Sequence, residues 1–158
     1  MDKEIIRRWE ANKEHLMNYI KSLSYEDVDE YEKLVRILII ECLNYGCESP
    51  YDTFNSDEIV RIDHGQYQGT EIYLFHRLSY QPDTEDYYIF DNYYGSCSGC
   101  DSLQRILASI NVNEPHFSDE QVDDLITLML HMVQRMICLE NLYKKEEKCG
   151  IKQLVGGF

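Results

Sequence analysis

Apolar residues recur at helical spacing through the first 46 residues of the chain. The apolar positions between residue 2 and about residue 21 are Ile5, Ile6, Trp9, Leu16 and Ile20. Because Lys, Glu and Arg fill the other positions, this segment is predicted to be an amphipathic helix with Trp9 as a core anchor. Ser24, with Asp27 three residues later, forms a carboxylate variant of the capping box and predicts a second helix that ends at Gly46.

The hydrophobic period changes from helical to two after a polar loop at 47–57. The predicted strands are 59–63 (IVRID), 70–77 (TEIYLFHR) and 86–94 (DYYIFDNYY). The segment HGQYQG lies between the first two and predicts a hairpin. Alternation divides the third strand into two faces: Tyr88, Phe90, Asn92 and Tyr94 on one, and Tyr87, Ile89, Asp91 and Tyr93 on the other. We expect one face to pack on helices and the other to be covered by a partner, a ligand or long side chains.

Helical spacing returns after a Gly/Ser/Cys hinge, GSCSGC at 95–100. Asp101 or Ser102 is the predicted N-cap of a short helix, whose apolar residues are Leu103, Ile106, Leu107 and Ile110. Ser118 with Gln121 is a capping box that predicts a long helix to about Lys148, its methionine stripe filling the core. Gly150 ends this helix, and a loosely docked tail follows.

These elements predict a single α+β domain. We expect a small antiparallel sheet of about three strands, with about four helices packed mainly on one side. The helical part covers residues 1–46, the sheet 59–94, the hinge and later helices 95–148, and the tail 149–158.

The net charge of the chain restricts the classes of molecule that can bind to it. The 158 residues include 29 acidic and 15 basic ones, which gives a formal net charge of -14. Nucleic acid and anionic membranes are poor direct partners because their phosphates would be repelled, so a partner protein with a basic surface is favoured. Solubility alone also accounts for an acidic surface. The charged N-terminus and the absence of a long apolar run predict a protein of the cytoplasm rather than a secreted or membrane protein.

Acidic residues are concentrated in several separate parts of the chain. Such clusters can form one electronegative face that imitates the phosphate backbone in a cationic groove, although each can also be a solvated surface. The residues predicted to form this partner-binding face are Glu26, Asp27, Asp29, Glu30, Asp83, Glu85, Asp86, Asp119, Glu120, Asp123 and Asp124.

The hinge also has the composition of an anion or nucleotide site. A strand that runs through a Gly/Ser loop into a helix can present several backbone N–H groups to a phosphate. No Lys or Arg lies between Arg77 and Arg105, Asp101 stands where the anion would arrive, and the P-loop pattern is absent. The residues predicted to bind a nucleotide in this alternative are Tyr93, Tyr94, Gly95, Ser96, Ser98, Gly99 and Ser102.

Six cysteines are interpreted as reduced thiols in a chain of this size without a signal peptide. Cys42 and Cys138 are predicted to lie on apolar helix faces, whereas Cys97 and Cys100 form a C-x-x-C motif. Three interpretations of this motif remain open: a tight turn with structural thiols, a zinc site, and a site of redox or nucleophilic chemistry. Further zinc ligands would come from Cys47, His64, His76 and Cys149, and His64 or His76 would be the base of a Cys/His pair. No cofactor other than this alternative zinc ion is predicted.

At YYGSCSGCDSLQ (93–104), and in YQPDTEDYYIF (80–90) before it, the sequence resembles small uncharacterised proteins of bacteriophages and large DNA viruses. The likeness covers about residues 59–107. It implies a viral origin and brings no catalytic role with it. Small, acidic, non-enzymatic phage proteins are often inhibitors of host defence, such as anti-CRISPR and anti-restriction proteins.

Together these observations predict a non-enzymatic, phage-encoded protein that inhibits a host defence or nucleic-acid enzyme by stoichiometric binding in the host cytoplasm. One alternative is a sponge that sequesters a nucleotide immune signal at the hinge, and another is a zinc-binding or thiol enzyme. Exposed aromatic residues on the second sheet face are also compatible with a homodimer, and the sequence leaves the oligomeric state open.

Overall fold

The sequence folds into an α+β domain, as predicted. The computed structural model describes residues 1–66, 68–109 and 113–148. Within these ranges the helices are α1 (Lys3–Lys21), α2 (Tyr31–Leu38), α3 (Ser102–Ala108), α4 (Asp119–Arg135) and α5 (Leu139–Lys148). The strands are β1 (Val60–Asp63), β2 (Gly69–His76), β3 (Tyr87–Tyr94) and β4 (Ile137–Cys138). The predicted Ile110, Gly150 and tail positions lie outside the described residues.

The strands form an antiparallel sheet in the order β1-β2-β3-β4, in which β1, β2 and β3 are a meander and β4 joins after α3 and α4. Tyr73 of β2 lies opposite Phe90 of β3, and Phe75 lies opposite Tyr88. All four of these rings are buried and pack with the helices, so the predicted alternation of β3 is confirmed. Helix α1 contributes its predicted apolar stripe to the same core, with Trp9 only 2% exposed.

The opposite face of the sheet is open and largely apolar. Val60 and Ile62 of β1 are 48% and 42% exposed, and they lie opposite Leu74 and Ile72, which are half-buried. Tyr93 on this face is 54% exposed. Burial of this face against a second copy of the chain stays a prediction.

The predicted second helix is interrupted. Ser24 and Asp27 do form their predicted contact, in which the Ser24 N–H donates to Asp27 Oδ2 at 2.9 Å, but this closes only the 3-10 turn Tyr25–Asp27. Val28 then leaves helical geometry, with φ of -134° and a fully buried side chain. Val28 therefore packs in the core from a non-helical turn, and α2 begins only at Tyr31.

A π-helical turn, Ile39–Leu43, extends α2 toward the predicted end. The Asn44 N–H donates to the Ile39 carbonyl at 2.8 Å, which is the wide bond of such a turn. Side chains of α1 reach the carbonyls of this turn: Arg8 Nη1 donates to Leu43 O at 2.8 Å and Asn12 Nδ2 to Cys42 O at 2.7 Å. These bonds fix α1 against the end of α2.

The prediction of one long C-terminal helix is wrong. Helix α4 starts with the predicted capping box at Ser118, but Met136 is extended and β4 follows before α5. Ile137 and Cys138 pair with Ile89 and Tyr88 of β3, so the sheet edge supplies the backbone bonds that a continuing helix would have made. Cys138 thus lies on a strand and not on a helix face, whereas Met129, Met132 and Met136 are buried and fill the core as predicted.

Among the described residues, the helices lack the combination of length and apolar character needed to cross a bilayer.

Candidate functional site

Asp101 organises the hinge between β3 and α3. It is the N-cap of α3, and its Oδ1 accepts the Gln104 N–H at 2.8 Å. Its Oδ2 accepts the Gly95 N–H at 2.8 Å, and the Tyr31 hydroxyl donates to Oδ1 at 3.1 Å. The side chain is only 2% exposed, so Asp101 ties the hinge, α3 and the start of α2 together.

The contacts of Asp101 occupy backbone N–H groups that the predicted nucleotide site would need. Two N–H groups that a phosphate would need, those of Gly95 and Gln104, already donate to the Asp101 carboxylate. A phosphate would therefore meet a buried carboxylate and would have to displace it, which charge repulsion opposes. Tyr93 is exposed, and the Tyr94 hydroxyl donates to Asp63 at 2.7 Å. Ser96, Ser98 and Gly99 lie on the exposed outside of the loop, and Ser102 begins α3 half-buried.

A second buried carboxylate, Glu71, lies on the core face of β2. It is 1% exposed and accepts three hydrogen bonds, from Arg61 Nε at 2.6 Å, the Tyr73 hydroxyl at 2.8 Å and Asn92 Nδ2 at 3.2 Å. These donors compensate the cost of burying a charge. Burial raises the pKa of Tyr73 far above its usual range, and the hydrogen bond to Glu71 raises it further, so the hydroxyl stays a donor.

Arg61 links Glu71 to a third carboxylate, Asp63. Arg61 Nη2 lies 3.0 Å from Asp63 Oδ2, while the Tyr94 hydroxyl and the Gly65 N–H donate to Oδ1. The hydrogen bond from Tyr94, followed by that from Gly65, lowers the pKa of Asp63, and the same bond raises the pKa of Tyr94. Glycine is favoured at Gly65, since a Cβ on it would lie 2.6 Å from the Gln68 carbonyl oxygen and 2.2 Å from the Tyr94 hydroxyl oxygen.

These groups surround an acidic cavity of about 340 Å³ between the start of α2, the sheet and the hinge. Tyr31, Tyr73, Tyr94 and Gly95 contribute to its wall, and Arg61 is the basic residue among the described residues that line it. Its acidic lining residues are Asp29, Glu30, Glu32, Glu71 and Asp101. The excess of carboxylates gives the cavity a negative potential that favours a cation over an anion.

The acidic residues predicted from the sequence do not all lie at this cavity. Asp29 and Glu30 line it, and Glu26 and Asp27 belong to the adjoining turn before α2. Asp83, Glu85 and Asp86 lie before the other end of β3, and since an eight-residue strand extends over roughly 25 Å, they are remote from it. Asp119, Glu120, Asp123 and Asp124 lie along the first turns of α4. The prediction that all of them contact one partner stays a prediction.

Cys97 and Cys100 lie on the exposed outside of the hinge. Both are exposed, and their Sγ atoms are 3.4 Å apart. The Ser96 N–H donates to Cys100 Sγ at 3.2 Å. Hydrogen bonding from Ser96 and then from Cys97 lowers the pKa of the Cys100 thiol to about 7.

Two of the other predicted metal and base candidates, His76 and Cys47, have partners outside the hinge. His76 contacts Glu58 at 3.0 Å through Nε2 and the Arg77 carbonyl through Nδ1, and Cys47 packs at the Leu43 carbonyl. Cys149 lies outside the described residues, and among those described no group of three or more His, Cys, Asp and Glu is arranged to hold a metal ion. Zinc binding and a Cys/His catalytic pair therefore have no supporting geometry in the part of the chain that is described.

Sequence reasoning missed Glu71 and its donors. A signal for them was present, because Glu71 shares the core-facing parity of Tyr73 and Phe75 in β2. A carboxylate at an inward position of an otherwise apolar strand face predicts a buried, hydrogen-bonded group.

Comparison with known proteins adds no identity: no family model, curated protein or solved structure matches this chain.

Proposed function

We propose that this chain is a phage-encoded binding protein that inhibits a nucleic-acid enzyme of host defence, and that its acidic cavity receives a Lys or Arg side chain from the enzyme's basic groove. The observation that carries the proposal is the acidic cavity itself, which is lined by five acidic residues and by Arg61 as its basic residue among those described. The net charge of -14 supports it, since the whole molecule attracts the cationic surfaces that such enzymes use to bind phosphate.

The cavity suits a cationic side chain in size and in chemistry. A volume of about 340 Å³ admits the head group of a long side chain, since liquid water takes about 30 Å³ per molecule. Glu71 and Asp101 are held in place by their donors, so they need no rearrangement to attract a cation. Half-exposed Tyr25 stands at the adjoining 3-10 turn, where it can supply an aromatic contact at the rim.

Titration against a panel of purified CRISPR nucleases and restriction endonucleases tests this proposal. We expect inhibition of at least one of them with an end point of one chain per enzyme, and competition with duplex DNA. Raising the salt from about 0.05 M to about 0.5 M should weaken the inhibition, because the attraction is electrostatic. Inhibition that does not change with salt, or no inhibition of any enzyme at a large excess of the chain, would contradict the proposal.

A matched pair of variants locates the binding surface. Glu30→Gln with Glu32→Gln removes two charges from the cavity, and Glu10→Gln with Glu14→Gln removes two charges from the exposed side of α1. We expect the cavity variant to need about tenfold more protein for half-inhibition, at about 0.7 kcal/mol for each charge, and the α1 variant to resemble the wild type. Equal losses in both variants would show that net charge alone causes the binding.

A further inference from the structure

The hinge brings two exposed thiols close enough to react with each other. Cys97 Sγ and Cys100 Sγ are 3.4 Å apart, and the Cys100 N–H donates to the Cys97 carbonyl at 3.1 Å. A turn closed by this bond keeps its end Cα atoms within about 7 Å, which overlaps the range of about 4.4–6.8 Å found in disulfides. Closing the bond to its length of about 2.05 Å therefore needs a change of side-chain rotamers and no rebuilding of the loop.

Neighbouring groups give the two sulfurs different roles. Cys100 Sγ accepts the Ser96 N–H at 3.2 Å and lies 3.6 Å from Ser96 Oγ, so a negative charge on this sulfur is stabilised. Gly95 makes the approach possible, because a Cβ there would lie 2.7 Å from Cys100 Sγ and 2.6 Å from the Cys100 carbonyl carbon. Cys100 is thus placed as the nucleophile, with Cys97 beside it to resolve the product.

We propose that Cys97 and Cys100 form a thiol–disulfide exchange site whose substrate is an accessible disulfide of a peptide or a small molecule. This inference does not depend on the proposed binding function, because neither cysteine lines the acidic cavity.

The exchange proceeds in two balanced steps. The Cys100 thiolate attacks one sulfur of the substrate disulfide, forms a mixed disulfide and releases the other sulfur as a thiolate. Cys97 then gives its proton to solvent and attacks Cys100 Sγ, which forms the Cys97–Cys100 disulfide and releases the second substrate sulfur. The chain loses two electrons and the substrate disulfide gains them.

Glutathione disulfide is the probe for the test. The reduced full-length chain is incubated with it, free thiols are counted, and the modified peptides are identified by mass. The chain has six cysteines, so formation of the Cys97–Cys100 disulfide should leave four thiols, with both lost thiols in the hinge peptide. One glutathione disulfide should yield two molecules of reduced glutathione per chain.

Single and double variants assign the steps. Cys97→Ser should accumulate one glutathione on Cys100, because the resolving thiol is missing. Cys97→Ser with Cys100→Ser, which keeps the four remaining cysteines, should lose no thiols over the same time. Both residues are exposed, so these changes should leave the circular dichroism spectrum unaltered. Retention of all six thiols in the wild type, or equal thiol loss in the double variant, would overturn the proposal.

Discussion

Replacing Asp101 by Ala should destabilise the protein far more than the loss of an ordinary helix cap. The substitution removes the N-cap of α3, which costs about 1 kcal/mol. It also leaves the buried Gly95 N–H and the part-buried Tyr31 hydroxyl without their acceptor, at about 1 kcal/mol for each. We therefore expect the free energy of unfolding to fall by about 3 kcal/mol.

The matched control is Ser118→Ala at the N-cap of α4. The Ser118 hydroxyl accepts the Gln121 N–H at 3.2 Å, so this variant should lose about 1 kcal/mol. Urea denaturation of both variants and the wild type, followed by circular dichroism, measures the two differences. If Asp101→Ala cost no more than Ser118→Ala, Asp101 would be an ordinary cap and its contacts to the hinge and to α2 would contribute nothing.

Three further predictions concern the hinge and the neighbouring turn. The rate at which iodoacetamide alkylates Cys100, followed by peptide mass, should have its pH midpoint near 7. Hydrogen bonding lowers the pKa of this thiol to about 7, and the thiolate is the reactive form. A midpoint near the ordinary thiol pKa of about 8.5 would contradict this prediction. Gly95→Ala should lower the free energy of unfolding by about 1–3 kcal/mol, because the added Cβ would lie 2.6 Å from the Cys100 carbonyl carbon. The control Gly99→Ala places its Cβ 3.7 Å from Cys97 Sγ and should cost less than about 1 kcal/mol. Similar losses of both variants in urea titrations would show that the close approach at Gly95 does not matter. Tyr94→Phe removes the hydroxyl donor that lowers the pKa of Asp63, so the Asp63 pKa measured by NMR titration should rise toward its ordinary value, and an unchanged pKa would show that the bond does not matter.

Local signals predicted much of the fold. Alternation placed the strands to within a residue or two, because Tyr88 and Phe90 share one face and the neighbours of these residues share the other. The caps at Ser24 and Ser118 were also found, since capping depends on residues three apart. The N-cap prediction of Asp101 or Ser102 included the right residue, Asp101.

The errors arose where distant contacts override local preference. Val28 carries a helical pattern, yet the core takes its side chain and the helix breaks. Ile137 and Cys138 continue the spacing of α4, but the free edge of β3 binds them as a strand. Both outcomes depend on residues far away in the sequence, which periodicity cannot detect.

The candidate site was predicted only in part, for the same reason. The hinge was visible because its glycines, serines and cysteines are consecutive. The cavity was not, because Asp29, Glu71 and Asp101 come from three separate parts of the chain and line one cavity only after the chain has folded. The acidic clusters in the sequence predict a positively charged partner. Which carboxylates line the cavity is determined by the fold.

The pairing of β4 with β3 has a consequence for the order in which the sheet forms during folding. Strands β1, β2 and β3 follow one another in the chain and can pair as two local hairpins. Strand β4 is separated from β3 by α3 and α4, so it can pair with β3 only after these helices have packed. The entropy of closing that long loop must be overcome before its few ladder bonds form. The meander should therefore assemble early, and the docking of Ile137 and Cys138 on β3 should be a late event that completes the sheet.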